Sequence, residues 1–472
     1  MIEVGDGLIA AIPKPKFKGD KKDLRPVTLF PIIRKVLSNI VQRRIAPKVD
    51  EYLASSQHAY RVRKSASDIV WSYRWIAAKM QIVDSKVFVT GIDMTSAFDT
   101  IKRSNLLKIL KSFLEEDEMR MIRVLLSNIS LELKMADVET VSFESNIGSP
   151  QGDGLSGQLF DVYFENSLRK IRYKMINNTP LIEHSYVKIK KDELPGEATY
   201  ADDGDFLTED EEKKNLLTNI VKDILLEDNL VVNENKTEHT IIMRCKNKID
   251  EKWRNVKKLG SLLGDSEHIA RRKQLAIVAN KELNQLWIRT DKLSLKIRLK
   301  IYNSLVRSIL LYNCGTWGIN KKEEDNLNAF HRKQIRFVLK IHHPHHISNK
   351  NLYRITEDEP VSLFVLKDRW RLFGHELRSE NDAPSYKSMK YYFNETIGKK
   401  FKGRRRMTLP IRLNSDLKTA SDNIATFFDK YNVRELKSVQ DLQRLRILAS
   451  NRKLWQELTK DIYDVAKANI SF

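Results

Sequence analysis

With 472 residues, 41% of them hydrophobic and 31% charged, the chain has the length and balance of a folded protein with more than one core, which excludes a disordered or fibrous chain. Lys and Arg number 83 against 62 Asp and Glu, and the resulting charge of +21 points to a polyanionic partner, nucleic acid being the commonest. No apolar run reaches the length of a membrane span, no secretory leader opens the chain, and two distant cysteines, Cys245 and Cys314, favour a reducing intracellular compartment and leave no zinc knuckle.

In chain order, Leu8 to Ile12 reads as a strand ended by Pro13-Lys-Pro-Lys16. The spacing over Pro31 to Val49 predicts a helix with Ile33, Val36, Leu37, Ile40, Val41 and Ile45 on one face. Val87 to Ile92 is β-branched and predicts a strand closing at Asp93, and Ile101 to Phe113 reads as a helix. The glycine-rich segment Gly148 to Gly157 precedes a helix over Gln158 to Lys170. Within Glu197 to Leu207, the pair Asp202-Asp203 lies between apolar or β-prone residues, as at the tip of a hairpin. Asn215 to Leu230 is helical and leads to a strand near Thr240. Basic residues break the apolar pattern from Arg244 to Lys258, and beyond about residue 268 the chain is mostly helical. This order predicts an α+β body followed by a basic helical region.

Adjacent carboxylates repel, so holding Asp202 and Asp203 ionised together calls for positive charge, most simply a divalent metal. A strand-end Asp93 in the same sheet would meet the hairpin tip and share two Mg²⁺ ions with it. One ion would activate a primer 3′-hydroxyl and the other would neutralise the triphosphate and leaving pyrophosphate.

Tyr200-Ala-Asp-Asp203, the upstream run Asp93-Met-Thr-Ser-Ala-Phe98-Asp99, and Gly148-Ser-Pro-Gln-Gly-Asp-Gly-Leu-Ser156 between them resemble reverse transcriptases in content, order and spacing. Leu24-Arg-Pro-Val-Thr-Leu29 and Gln57-His-Ala-Tyr-Arg-Val-Arg-Lys-Ser65 look like two finger motifs of that family. Asn233-Glu-Asn-Lys-Thr-Glu238 resembles the palm segment that carries a lysine near the leaving phosphates, and Lys258-Leu-Gly-Ser-Leu-Leu-Gly264 resembles the primer grip. Leu310-Leu-Tyr-Asn-Cys-Gly-Thr-Trp317, Arg369-Trp-Arg-Leu-Phe-Gly-His-Glu-Leu-Arg378 and Lys402-Gly-Arg-Arg-Arg406 narrow the resemblance to non-LTR (LINE-like) retrotransposon polymerases.

The resemblance implies a right-hand polymerase with an antiparallel palm sheet. Fingers, palm and primer grip (Leu259, Gly260) would occupy 1–265, thumb and connection 266–380, and a basic helical extension 381–472. It makes Asp93, Asp202 and Asp203 the metal-site carboxylates, served by two Mg²⁺ with Mn²⁺ as substitute. Phe98 would lie beneath the sugar and exclude a 2′-hydroxyl by sterics. Gln151 would contact the incoming nucleotide, and Gly152 would let backbone approach it. Arg61, Lys64 and Arg25 would bind its phosphates, and Lys236 would protonate pyrophosphate. Arg271, Arg272, Lys273, Lys399, Lys400, Arg404, Arg405 and Arg406 would track the backbone of an RNA template and DNA primer. His342-His-Pro-His-His346 has no cysteine or acid at ligand spacing and reads as a polar loop, while Trp317, Trp370 and Trp455 read as core.

An endonuclease and the N-terminal finger extension usual in such elements are missing from the sequence, so a nuclease is expected in trans. In a eukaryotic host the implied location is the nucleus. Ala59 and Gly157 stand where the family more often has glycine and proline. Two rivals stay open: a truncated or domesticated, non-catalytic nucleic-acid-binding remnant, and an RNA-dependent RNA polymerase, which Phe98 disfavours.

Overall fold

The computed structural model of the chain describes all residues except 1–5, 14–18, 20–23, 136–137, 151, 178–193, 246–249, 285–292, 342, 395–400, 402–404 and 471–472. It divides into two compact units. The first comprises Met1–Ala66, Phe88–Lys190 and Gly196–Thr240, and the second comprises Ser67–Val87, Lys191–Pro195 and Ile241–Phe472. Residues 67–87 and 241–265 thus belong to the second compact unit. Among the described residues no helix is long and apolar enough to cross a membrane.

The strands in chain order are β1 (Gly7–Pro13), β2 (Leu24–Leu29), β3 (Lys86–Ile92), β4 (Ile129–Met135), β5 (Val138–Ser145), β6 (Glu197–Tyr200), β7 (Asp203–Thr208) and β8 (Glu238–Met243). They form two four-stranded sheets, ordered β2-β1-β4-β5 and β6-β7-β3-β8. In the second sheet β7 pairs antiparallel with β3, Ile92 opposite Gly204. Because β3 is buried on both faces from Val87 to Ile92, its sequence is a continuous apolar run rather than an alternating one.

The helices up to residue 227 are, in chain order, α1 (Ile32–Tyr52), α2 (Ala66–Met80), α3 (Arg103–Leu110), α4 (Glu116–Leu126), α5 (Ser156–Asn177) and the helix Glu211–Glu227, of which α2 belongs to the second unit. Leu106, Ile122, Phe160, Phe164, Leu168 and Ile224 belong to the one core that α3, α4, α5 and Glu211–Glu227 share in the first unit. Helix α4 starts on a capping box between Glu115 and Glu118, and Glu211–Glu227 starts on Asp210, whose carboxylate accepts from the Glu212 and Lys213 N–H groups.

Helix α1 lies where its spacing predicted, and Val41 and Ile45 of the expected face are buried, but its N-terminal half turns another face inward. Arg34, Ser38, Val41, Ile45 and Val49 face inward, while Ile33, Val36 and Ile40 are exposed. The physical reason is a polar anchor: the Arg34 guanidinium donates to the Leu125 carbonyl at 2.7 Å and lies 3.6 Å from Asp153, which also accepts from Ser38. Burial lowers the Arg34 pKa and raises that of Asp153, a solvation cost that these contacts offset.

The second unit is helical. Helix α2 is buried nearly all round, and its Trp71 and Trp75 share a core with Trp370, Phe373, Leu413 and Leu458. A second core gathers Tyr302, Val306, Trp317, Leu327 and Ile335. Trp317, Trp370 and Trp455 are all buried, as expected. Arg369, fully buried, donates to Asp416 and to the Trp317 carbonyl, and Arg412 bridges Asp416 and Glu324. Among the histidines of the run after residue 341, His343, His345 and His346 are exposed in a loop between Lys321–Val338 and Asn349–Thr356, and His342 lies outside the described residues.

Candidate active site

Strand β3 ends at Ile92, so Asp93 is the first residue off the sheet edge. Its carbonyl accepts from the Asn233 N–H at 2.8 Å, and the Thr95 N–H donates to Val231 at 2.8 Å, which ties this turn to the segment ahead of Lys236. The same segment carries Lys236 to the site, where its Nζ lies 3.1 Å from Asp93 Oδ2.

Strands β6 and β7 form the predicted hairpin, with Tyr200 opposite Asp203 and Ala201-Asp202 as its two-residue turn. Ala201 has φ of 54°, a left-handed conformation costing a non-glycine residue about 1 kcal/mol or more. A buried amide holds it there. Gln57 Oε1 accepts from the N–H groups of His58, Ala59 and Ala201 at 2.9, 3.0 and 3.2 Å. Beside it the His58 N–H donates to Thr199, and the Thr199 N–H donates to Ser56, both at 2.9 Å. The segment around Gln57 therefore extends the hairpin's hydrogen bonding and fixes its tip. No role had been assigned to Gln57, and the short stretch Ser56–Ala59 has no strand pattern that would have revealed one.

The tip brings Asp202 into the field of Asp93. Burial is the largest cause of an upward shift in the Asp202 pKa, and the charge of Asp93 adds to it, while Lys236 and Arg25 pull it down. Four residues expected at the site thus meet electrostatically: Asp93, Asp202, Lys236 and Arg25. Asp203, at the start of β7, is exposed. Arg25 sits on β2, exposed, opposite Ile12.

Phe98 lies on the turn Ala97–Asp99, half-buried, with its ring 4.5 Å from that of Phe160 in a stacked arrangement and 6.5 Å from Tyr60 edge-on. Tyr60 also explains a departure from the family pattern. A Cβ on Gly157 would lie 2.5 Å from the Tyr60 ring, so the aromatic fills the space that a larger residue at 157 would need.

Gly152 has φ of 128°, and a Cβ there would lie 2.0 Å from the Thr28 carbonyl oxygen. The close approach it permits in the structure is to the backbone of β2, three residues from Arg25. Gln151 lies outside the described residues.

Arg61 departs from its expected role. Its Nε donates to Asp50 at 2.6 Å, and its terminal nitrogens donate to the carbonyls of Ala54, Gln57 and Asp50. With its side chain 4% exposed, the guanidinium is spent on holding the Gln57 segment to the end of α1 instead of reaching a triphosphate. Lys64 follows it, half-buried. Beneath the site Asp161 is fully buried on α5, with no hydrogen-bond partner for either oxygen among the described residues; burial raises its pKa strongly, Arg61 opposes this, and Glu165 and Asp202 add to it.

In the second unit, Leu259 and Gly260 form the left-handed turn, φ 45° and 77°, between β9 (Lys257–Lys258) and β10 (Ser261–Leu262). Tyr312 Oη donates to the Leu259 carbonyl at 3.0 Å and Arg272 donates to that of Gly260 at 2.6 Å. Arg272, expected on nucleic acid, is therefore a buried brace that stacks on Tyr312, 4.2 Å from its ring centre. Arg406, expected in the same role, pairs with the buried Glu251. Lys273 is half-buried, 3.4 Å from the Asn326 carbonyl, and Arg271 is half-buried beside it. Arg405 is exposed, while Lys399, Lys400 and Arg404 lie outside the described residues.

The model of the family described as "Reverse transcriptase (RNA-dependent DNA polymerase)" matches residues 12–265. Among solved structures, telomerase from Candida albicans with a TWJ fragment of telomeric RNA is similar at 12% identity and a TM-score of 0.40, over 83% of this chain and 64% of that one. Apo telomerase from Candida tropicalis is similar at 12% identity and 0.40, over 82% and 63%. A form of the Candida tropicalis enzyme truncated from the C-terminal domain gives 14% and 0.38, over 52% and 51%. The chain thus spans from about half to just under two thirds of the length of these structures. The sheet β6-β7-β3-β8 is the palm sheet of a polymerase fold with a helical C-terminal region, and the chain belongs to the reverse transcriptase (RNA-dependent DNA polymerase) family.

Proposed function

We propose that the chain is an RNA-directed DNA polymerase of the non-LTR (LINE-like) retrotransposon type, adding deoxynucleotides to a primer 3′-hydroxyl. The observation that carries this reading is the meeting of Asp93 and Asp202 from two adjacent strands of one sheet, with Lys236 3.1 Å from Asp93. The donor set fits a divalent cation. The pKa of Asp202 is raised, chiefly by burial and then by the charge of Asp93, a cost that a cation shared by the two carboxylates would relieve. Asp93, Asp202 and Asp203 would hold two Mg²⁺ ions, or Mn²⁺ in their place, which supply Lewis-acid stabilisation of the attacking and leaving oxygens.

The chain's own residues do the rest. Gln57 fixes the strained tip so that Asp202 needs no reorganisation. Lys236, 3.1 Å from Asp93, would donate a proton to the pyrophosphate. Arg25 and Lys64 bind phosphates, and the Phe98 ring, braced from behind by Phe160, meets the sugar at its open edge. Fingers, palm and primer grip then occupy 1–265, the thumb 266–380 and the basic extension 381–472. The LINE-like assignment rests on the segments 310–317, 369–378 and 402–406, and in a eukaryotic host it implies a nuclear location.

Extension of a DNA primer on an RNA template by the purified chain tests the reading, with Asp202→Ala as control. Template-directed extension in Mg²⁺, lost in the variant, supports it. Tight RNA binding with no extension in Mg²⁺ or Mn²⁺ would replace it with the non-catalytic remnant, and equal use of ribonucleotides would point to an RNA polymerase.

A further inference from the structure

Three ligand-type side chains that carry no role assigned above meet in the second unit. Asp68 lies in the first turn of α2, and His375 and Glu376 lie in the last turn of the helix Val361–Leu377. One donor atom from each lies within 4.8 Å of the other two, and His375 Nε2 is 3.7 Å from Asp68 Oδ2. We propose that Asp68, His375 and Glu376 form a second metal site, for a divalent ion of the zinc or manganese class.

The spacing suits such an ion. Zinc binds imidazole nitrogen and carboxylate oxygen at about 2.0–2.2 Å, which places tetrahedral ligands about 3.4 Å apart, within a small side-chain adjustment of the 3.7 Å observed. One nitrogen and two oxygens favour zinc or manganese over magnesium, which takes oxygen ligands and keeps its waters. Asp68 and Glu376 are 2% and 0% exposed, whereas the His375 side chain is 33% exposed and gives the ion a way in and a water its fourth place.

The site is also rigid. Trp71, one turn after Asp68, stacks on Phe373, two residues before His375, at 5.8 Å between ring centres, so packing holds both donor helices in place. A bound ion would fasten the start of α2 to the end of Val361–Leu377.

The full chain, stripped with a chelator and dialysed against Zn²⁺, should retain about one zinc in an Asp93→Asn, Asp202→Asn, Asp203→Asn background that removes the palm carboxylates. Co²⁺ in its place should give visible d–d absorption bands, and either metal should raise the thermal midpoint read by tryptophan fluorescence. His375→Gln and Glu376→Gln should weaken binding roughly a hundredfold or more, since even outer-shell partners of a ligand are worth about 10–100-fold. Zinc retained equally by both variants would place the ion elsewhere and overturn the proposal. No zinc and no cobalt bands in the chain with Asp68, His375 and Glu376 intact would overturn it without recourse to those variants, leaving His375 as an ion-pair partner of Asp68. These readouts need no polymerase activity, so they stand apart from the test of Asp202.

Discussion

Gly152→Ala should dislodge the segment before α5 from β2. The new Cβ would lie 2.0 Å from the Thr28 carbonyl oxygen and 3.0 Å from its carbon, so the two backbones must part by about an ångström. A non-glycine residue at φ 128° costs about 1–3 kcal/mol, and relieving the overlap costs about 1–3 kcal/mol more. The sum, about 2–6 kcal/mol, is a large fraction of the 5–15 kcal/mol typical of a folded domain. Hydrogen exchange by mass spectrometry should show residues 24–29 and 148–156 losing protection together. Nucleotide incorporation should fall by about tenfold or more in kcat/KM, because Arg25 shares β2 with Thr28. Gly196→Ala is the control, since no atom of the described residues lies within 4 Å of the added Cβ and its φ lies outside the left-handed region. Equal protection and activity for Gly152→Ala and wild type would refute the account of the Thr28 contact.

Phe98→Ala should relax the preference for deoxynucleotides by about 10–200-fold in the ratio of kcat/KM values, with an unchanged ratio removing Phe98 from sugar selection. His268 and His331 are buried neutral, their pKa values lowered to about 3 mainly by burial, against 6.5 when unfolded. The unfolded chain therefore binds more protons below pH 6.5, and stability is lost as pH falls from there toward 3. Between pH 7 and pH 5 the loss is about 2 kcal/mol for each histidine. Denaturant midpoints read by tryptophan fluorescence should show this, and His331→Leu should remove about half of it; a flat profile would contradict the burial account. Asp416→Ala strands the buried Arg369 and the Trp370 indole N–H, 3.2 Å from the same carboxylate oxygen, and should cost about 3–5 kcal/mol by the same assay. A cost below about 1 kcal/mol would show that the network contributes little.

What the sequence made legible was local. A β-branched run ending in Asp93 and an acidic pair in a two-residue turn each fold into what their own neighbours dictate, so both elements stand where expected. What it concealed was set by distant partners. The buried face of α1 is governed by Arg34 meeting Asp153, so counting apolar residues selected Ile33, Val36 and Ile40, which are exposed. Gln57 clamps a residue 144 positions away, and Arg61 gives its donors to Asp50, Ala54 and Gln57, neither of which any motif announces. Helix α2, buried on all sides, has no polar face to give it a helical period.

The most direct test of the central claim is the single-turnover rate of one templated deoxynucleotide addition to a DNA primer on RNA, in Mg²⁺, for wild type and Asp202→Asn. The account predicts templated addition by the wild type and a fall of roughly a thousandfold or more in the variant, with RNA binding unchanged. Equal rates in the two proteins would contradict it, as would no addition by a wild type that still binds RNA.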